Sequence, residues 1–319
     1  MKRLGAGWAV WVAAAVPCAG AGDRLLEFEF SAGPGVSSGD VTYEIGRSVV
    51  QDGVVERAPF PISRLEWPID VLTAEFDAGL RIARRFELRA RFAMSLTEDA
   101  GTMIDSDWNY PEGNQLLTIY SESDAVLDAW TLDLSARWWA WRQTRPGDQE
   151  LRLGLGAGWL RQDFAWEARD GTQSYPSEPG VAADTWEGTA ITYDIAADLP
   201  YLELCGSIRQ PKVVLDGRVA WIPSASVKDR DDHQFRDILA NTDADGMGLI
   251  AEAAIRYDLT ERVFLRFRAQ YVIFVVDGPS ENRVYGAEGG EEPVGTTWRI
   301  DEEIRSAQAW FSFGIGLNL

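Results

Sequence analysis

Phe86-Glu87-Leu88-Arg89-Ala90-Arg91-Phe92-Ala93-Met94 is the stretch whose reading decides the fold. In an extended chain successive side chains point to opposite faces. Phe86, Leu88, Ala90, Phe92 and Met94 therefore share one face, and Glu87, Arg89 and Arg91 share the other. The same rhythm returns at Leu26–Ala32, Leu72–Leu80, Trp130–Trp138, Leu151–Trp159 and Val263–Ile273. A soluble sheet also alternates, but here the polar face carries both signs of charge. Glu27, Glu75 and Glu87 oppose Arg89, Arg152 and Arg266, as charges paired inside a barrel would. Trp130, Trp138, Trp159 and Tyr271 stand near the ends of the apolar faces, where an interfacial girdle belongs. No later stretch approaches the roughly 18 to 20 apolar residues of a membrane helix. The expected fold is all-β: an antiparallel transmembrane β-barrel.

The connections give the strand number. Short turns are expected near Ala83–Arg85, Gln143–Asp148, Arg209–Lys212 and Leu259–Glu261. Long, polar, extracellular loops are expected at Gly33–Ser63, Glu98–Ser123, Glu167–Thr189, Lys228–Asp245 and Asp277–Ile304. Together they imply about ten strands, an even number in keeping with bacterial barrels. Phe311, Phe313, Ile315, Leu317 and Leu319 form the last apolar ladder. The acidic run Glu288-Gly289-Gly290-Glu291-Glu292 is expected at a mobile loop tip.

The first residues read as an export leader, with Lys2 and Arg3, an apolar run from Trp8 to Val16, and Ala19-Gly20-Ala21 as a cleavage site. Residues 1–21 are thus expected to be a signal peptide and 22–319 one barrel domain. Cys205 then remains as a single cysteine, which cannot close an internal disulfide. With 30 Lys and Arg against 50 Asp and Glu, the formal charge is −20. Such a surface repels nucleic acid and favours cationic partners.

Two acidic motifs fall in the expected long loops: Asp105-Ser106-Asp107-Trp108, and Asp229-Arg230-Asp231-Asp232-His233, which holds the only histidine of the chain. A neutral imidazole can take a proton from water near pH 7, and a carboxylate can orient it. Residues at i and i+2 share a side of an extended chain, so Asp231 can align with His233 and Asp105 with Asp107. Asp105 and Asp107 are in phase with the inward Arg89 and Arg91. Asp229, Asp231 and His233 share parity with the outward Val213, Leu215 and Val219, so a bulge near Pro223 must reset the phase.

These motifs, their spacing and the ten-strand pattern resemble the omptin family of outer-membrane proteases. The likeness runs from about Arg64 to the C-terminus and includes Pro200-Tyr201. It implies an outer-membrane endopeptidase with its site at the outer rim, cutting peptide bonds next to basic residues. His233 would be the general base and Asp231 its orienting carboxylate. Asp105 and Asp107 would hold the nucleophilic water or stabilise the tetrahedral intermediate, one of them protonated. No acyl-enzyme and no metal or other cofactor is implied. Asp229 matches an acidic position in the family's pocket for the basic residue. The second pocket acid does not align cleanly: Glu44 is nearest, but Tyr43 falls in register.

Lipopolysaccharide is the activating lipid such a resemblance brings with it. Here Asp163, in Trp159-Leu160-Arg161-Gln162-Asp163, stands where a basic residue is expected, and Ala196 replaces another. The expected partners are basic peptides or proteins and outer-membrane lipid, with the chain a monomer. Three other readings compete. One is a pore, which usually needs about 16 to 18 strands. Another is an inactive barrel serving in surface binding or adhesion. The third is a calcium loop at Asn241–Gly246 with Glu252 at its twelfth position, but no helices flank that segment.

Overall fold

A computed structural model describes residues 25–147, 149–286 and 293–319. The expected leader and the acidic tip Glu288–Glu292 lie outside them. Among the described residues the chain forms thirteen antiparallel strands: β1 (Leu26–Gln51), β2 (Val54–Arg57), β3 (Ser63–Pro68), β4 (Leu72–Ile82), β5 (Phe86–Ser95), β6 (Asp99–Asn109), β7 (Leu116–Arg145), β8 (Gln149–Ser174), β9 (Asp184–Arg209), β10 (Val213–His233), β11 (Ile238–Asp258), β12 (Val263–Val284) and β13 (Thr297–Asn318). β1 pairs with β13, from Glu29 opposite Asn318 to Val50 opposite Arg299, and closes the ring. β3 and β4 are the upper and lower parts of one wall, and β6 and β5 of the next. β1 pairs with both β3 and β4, and β7 with both β5 and β6. The walls therefore number ten. β2 is a short return against the top of β1.

In the lower half the polarity is the reverse of a soluble protein's. Phe28, Leu88, Phe92, Leu155, Leu204, Val219, Phe267 and Phe313 are exposed on the outer wall. In water each would forgo roughly 1.5–3 kcal/mol of burial, so this belt belongs in hydrocarbon. Inside, Arg218 reaches Asp133 (2.6 Å), Glu203 (3.1 Å) and Glu252 (3.0 Å), and Arg91 holds Asp77 (2.9 Å) and Glu252. These buried ion pairs fill the lumen at that level, so the barrel is plugged there rather than open as a pore. Glu252 is spent on these arginines, which removes the twelfth ligand of the calcium reading.

Above the belt the pattern inverts. Trp67, Trp166 and Tyr193 are buried inside the ring; both indoles stack on Tyr193 and are tilted to one another, with ring centroids 5.4–5.8 Å apart. Val41, Leu65, Leu127, Phe164 and Leu199 pack around them. The outer face here is polar because its solvent is water.

The expected long loops are for this reason mostly strand. β1 continues to Gln51, β7 starts at Leu116, β8 runs to Ser174 and β10 to His233. Polar sequence on a wall that meets water keeps its backbone pairing. The true upper connections are short, such as 110–115, 175–183 and 234–237. The 26 residues of β1, at about 3.3 Å each, span roughly 85 Å. Tilted by about 45°, they still stand roughly 60 Å tall, twice a hydrocarbon core of about 30 Å. The lower turns fall at 83–85, 146–147, 210–212 and 259–262, close to where they are expected.

Candidate active site

The phase reset that the Asp231 motif requires is present in β10. Arg218, Ala220 and Ile222 are buried, then Ala225, Val227, Asp229 and Asp231. The even-numbered face turns inward below the break and the odd-numbered face above it. The pairing with β11 slips between Ile222 and Ala225, the two sides of Pro223 and Ser224. This bulge aims Asp231 into the barrel instead of at the surrounding water. Across the lumen, β6 slips against β7 between Asp99 and Gly101, where Gly101 takes a φ of +104°. Met103 then turns inward, and Asp105 and Asp107 follow on its face.

Asp107, Asp231 and His233 line one open cleft of about 1160 Å³ at the top of the barrel, together with Tyr43, Arg236, Ile300 and Glu302. His233 Nε2 lies 2.9 Å from Asp231 Oδ2. The hydroxyl of Tyr43, on β1, donates to that same Oδ2 in a short contact. Burial alone would lower the His233 imidazole; the Asp231 carboxylate beside it outweighs that and raises it above its ordinary 6.5. Burial holds the Tyr43 phenol well above its usual range, reinforced by Asp231, so Tyr43 stays a neutral donor.

Asp105 lies one step deeper than Asp107, and its Oδ1 is buried without a partner. Burial, and then the charge of Asp107, push it up to about 7, against the opposing pull of His233. Of the four residues expected to do chemistry, Asp107, Asp231 and His233 line the cleft, and Asp105 sits below Asp107 outside its lining.

The two expected pocket acids do not both reach the cleft. Glu44 is a correction. Tyr43 and Ile45 take the inward face of β1, so Glu44 points to the outer wall, where Arg64 binds it through Nε at 2.7 Å and Arg305 stands 3.6 Å away. A one-residue step exchanges faces, and Tyr43 is the side chain in the site. Asp229 faces inward but lies beneath the cleft. Its Oδ2 accepts from the Tyr193 hydroxyl (3.0 Å) and its Oδ1 from the Thr242 N–H (3.1 Å). Burial raises it to about 6. Above it stands Glu302 of β13, absent from the sequence-based site. The parity of the last strand carries the signal for it: Trp310, Gln308 and Ile304 are inward, and Glu302 continues that even-numbered face.

Among the described residues no group of three or more His, Cys, Asp or Glu is arranged to hold a metal ion. On the outer wall Arg161 is engaged by Asp198 (2.5 Å) and Asp163 (3.3 Å).

The plasminogen activator of Yersinia pestis is 26% identical over 212 residues, covering 65% of this chain and 66% of that protein. The chain thus spans just under two thirds of that relative. Protease 7 of Escherichia coli O157:H7 is 29% identical over 145 residues, 44% of each chain. Among solved structures, the outer membrane protease OmpT of Escherichia coli superposes with a TM-score of 0.67 at 18% identity, over 90% of this chain and 96% of that one, a likeness of fold. The Omptin family model matches residues 55–301. That match takes in both motif-bearing strands, β6 and β10, and most of the ring around them, and the chain belongs to the Omptin family of outer-membrane barrels.

Proposed function

We propose that this barrel is an outer-membrane endopeptidase that cleaves peptide bonds next to basic residues with water activated by Asp231 and His233. The observation that carries the reading is the His233 Nε2 to Asp231 Oδ2 contact at 2.9 Å, in a cleft lined on its far side by Asp107. An imidazole that donates Nε2–H to a carboxylate presents the lone pair of Nδ1 as a base. Water between Nδ1 and Asp107 gives its proton to His233 as its oxygen attacks the peptide carbonyl. Asp231 stabilises the imidazolium, which returns the proton to the departing amine. Asp105, raised to about 7 and so still protonated in a large share of molecules near neutral pH, donates a hydrogen bond in that form where negative charge develops. Preorganised donors of this kind do much of the work in acyl transfer.

The names of the relatives, a plasminogen activator and a protease, support the reaction class. The carboxylates of the cleft support cationic substrates. Arg161 is already paired on the outer wall, so the reading assigns lipopolysaccharide no step. The test is to refold the barrel and offer it a peptide with paired basic residues. Wild type cuts; His233→Ala and Asp231→Ala fall by about 10²–10⁴, the usual worth of acid–base catalysis. Equal rates in all three reject the mechanism.

A further inference from the structure

We propose that the lower rim of the barrel, at the end opposite the cleft, seats one anionic phospholipid of the inner leaflet. Arg85 and Arg142 take its phosphate, and a trough opened by Gly206 and Gly217 on the outer wall takes an acyl chain.

The lower turns are basic in a chain of formal charge −20. Arg84 and Arg85 lie in the first, Arg142 and Arg145 lead into the second, and Lys212 and Arg262 stand at the other two. The sequence sets Asp148, Glu150, Asp258 and Glu261 against them. Glu150 is shared by Arg142 (3.1 Å) and Arg152, and Asp258 is held by Arg256 (2.7 Å). Arg85 is exposed, and among the described residues no acid pairs with its side chain. A cleft of about 610 Å³ is lined by Arg85 and Arg142 together with Leu25, Trp139 and Trp141. Guanidinium groups present a donor fork that matches phosphate oxygens.

Trp141 joins this cleft to a second hollow. β7 slips against β8 between Trp138 and Trp141, so both indoles face outward, 45% and 44% exposed. Trp141 also borders a trough of about 460 Å³ between Leu153, Ile208 and Leu215 on the outer wall. Gly206 and Gly217, directly opposite each other on β9 and β10, line it as well. A Cβ on Gly206 would come no closer than 3.6 Å to Leu153, and one on Gly217 no closer than 3.7 Å to the backbone of Glu252. Packing therefore does not demand these glycines, unlike Gly316, where a Cβ would collide with the Phe264 ring. Their missing side chains leave an apolar hollow in a wall that faces hydrocarbon, beside a cationic cleft at its edge. Bases, then indoles, then an apolar hollow follow the order of a lipid's phosphate, glycerol and chain.

The test reads bound lipid and involves no catalysis, so it stands whether or not the barrel is a protease. The barrel is refolded into nanodiscs of equimolar dioleoyl-phosphatidylglycerol and dioleoyl-phosphatidylcholine and repurified in mild detergent. Native mass spectrometry then counts the lipid it keeps. Each arginine at a charged membrane surface contributes roughly fivefold, so wild type should keep phosphatidylglycerol over phosphatidylcholine by about 25-fold. Arg85→Gln should cut that enrichment about fivefold. Arg145→Gln, which removes a base of the same rim outside the cleft, should leave it unchanged. Gly206→Leu fills the trough and should lower retained phosphatidylglycerol roughly fivefold, because the chain loses its packing contacts. Equal enrichment in wild type and Arg85→Gln, or equal losses in Arg85→Gln and Arg145→Gln, overturns the seat. Undiminished retention in Gly206→Leu overturns the trough and leaves a site for a free anion. Thermal unfolding in detergent checks that each variant has folded; none of the three positions contributes to the ion pairs of the lumen.

Discussion

Replacing Tyr43 by Phe removes one hydroxyl from the centre of the site and leaves the ring that packs on Tyr193, 5.2 Å away between centroids. Asp231 Oδ2 now accepts from both Tyr43 and His233, while Oδ1 is buried without a partner. A hydrogen bond to a charged group contributes about 1.5–3 kcal/mol. While Tyr43 holds the carboxylate, part of its charge is withheld from the imidazole. Without the hydroxyl, the carboxylate stabilises the imidazolium more strongly. If about half of that energy passes to His233, its pKa rises by roughly one unit, at 1.36 kcal/mol per unit.

The sign follows from the active form being neutral: His233, already raised above 6.5, then needs a still higher pH to lose its proton. In Tyr43→Phe the acid limb of kcat/KM should move up by about one pH unit, with the rate down by up to about tenfold below the limb. Above the limb the curves should converge. Two assays read this independently. One is the pH–rate profile on a quenched basic peptide. The other is an NMR titration of the imidazole, which needs no assignment because the chain has one histidine. A histidine titrating at the same pH in both proteins, with a loss of rate equal at every pH, would refute the reasoning and reduce Tyr43 to packing.

Two further outcomes are expected. Asp105 sits at about 7 and is assigned its neutral form, so ionisation on the alkaline side should slow the wild type. Asp105→Asn keeps a neutral donor and should lose that alkaline limb between about pH 6 and 9; a limb that persists in the variant shows that another group causes it. Arg218→Met leaves Asp133, Glu203 and Glu252 short of a buried partner. Such a loss costs about 3–5 kcal/mol, and a melting temperature in detergent equal to that of wild type would contradict the lumen account.

Much of this architecture can be read from residue order. Alternation at Phe86–Met94 gives strands in lipid, and short turns give the count of walls. The i, i+2 spacing of Asp231 and His233, with the phase reset near Pro223, gives the dyad and the bulge that aims it. Other features are hidden for physical reasons. Above the belt the outside changes from lipid to water, so strands such as Leu116–Ser123 lose the lower pattern and look like loops. Glu44 and Tyr43 differ by one step, and only the pairing of Tyr43 with Leu65 and Ile304 decides which of them faces in. Glu302 meets Thr242 and Asp229 from 60 or more residues away, a neighbour relation that belongs to strand order around the ring.

The ring is closed by β1 meeting β13, with Ile45 opposite Glu302 and Tyr43 opposite Ile304. Tyr43 and Glu302 thus enter from the two flanks of that seam, while Asp231 comes from another wall. Until the first and last strands zip together, the dyad has neither its phenol nor its acidic neighbour, and the cleft lacks a side. On the proposed proteolytic reading, cutting power would be tied to the final stitch of assembly: a chain whose first and last strands have not met would be latent, and it would arm itself by becoming a cylinder.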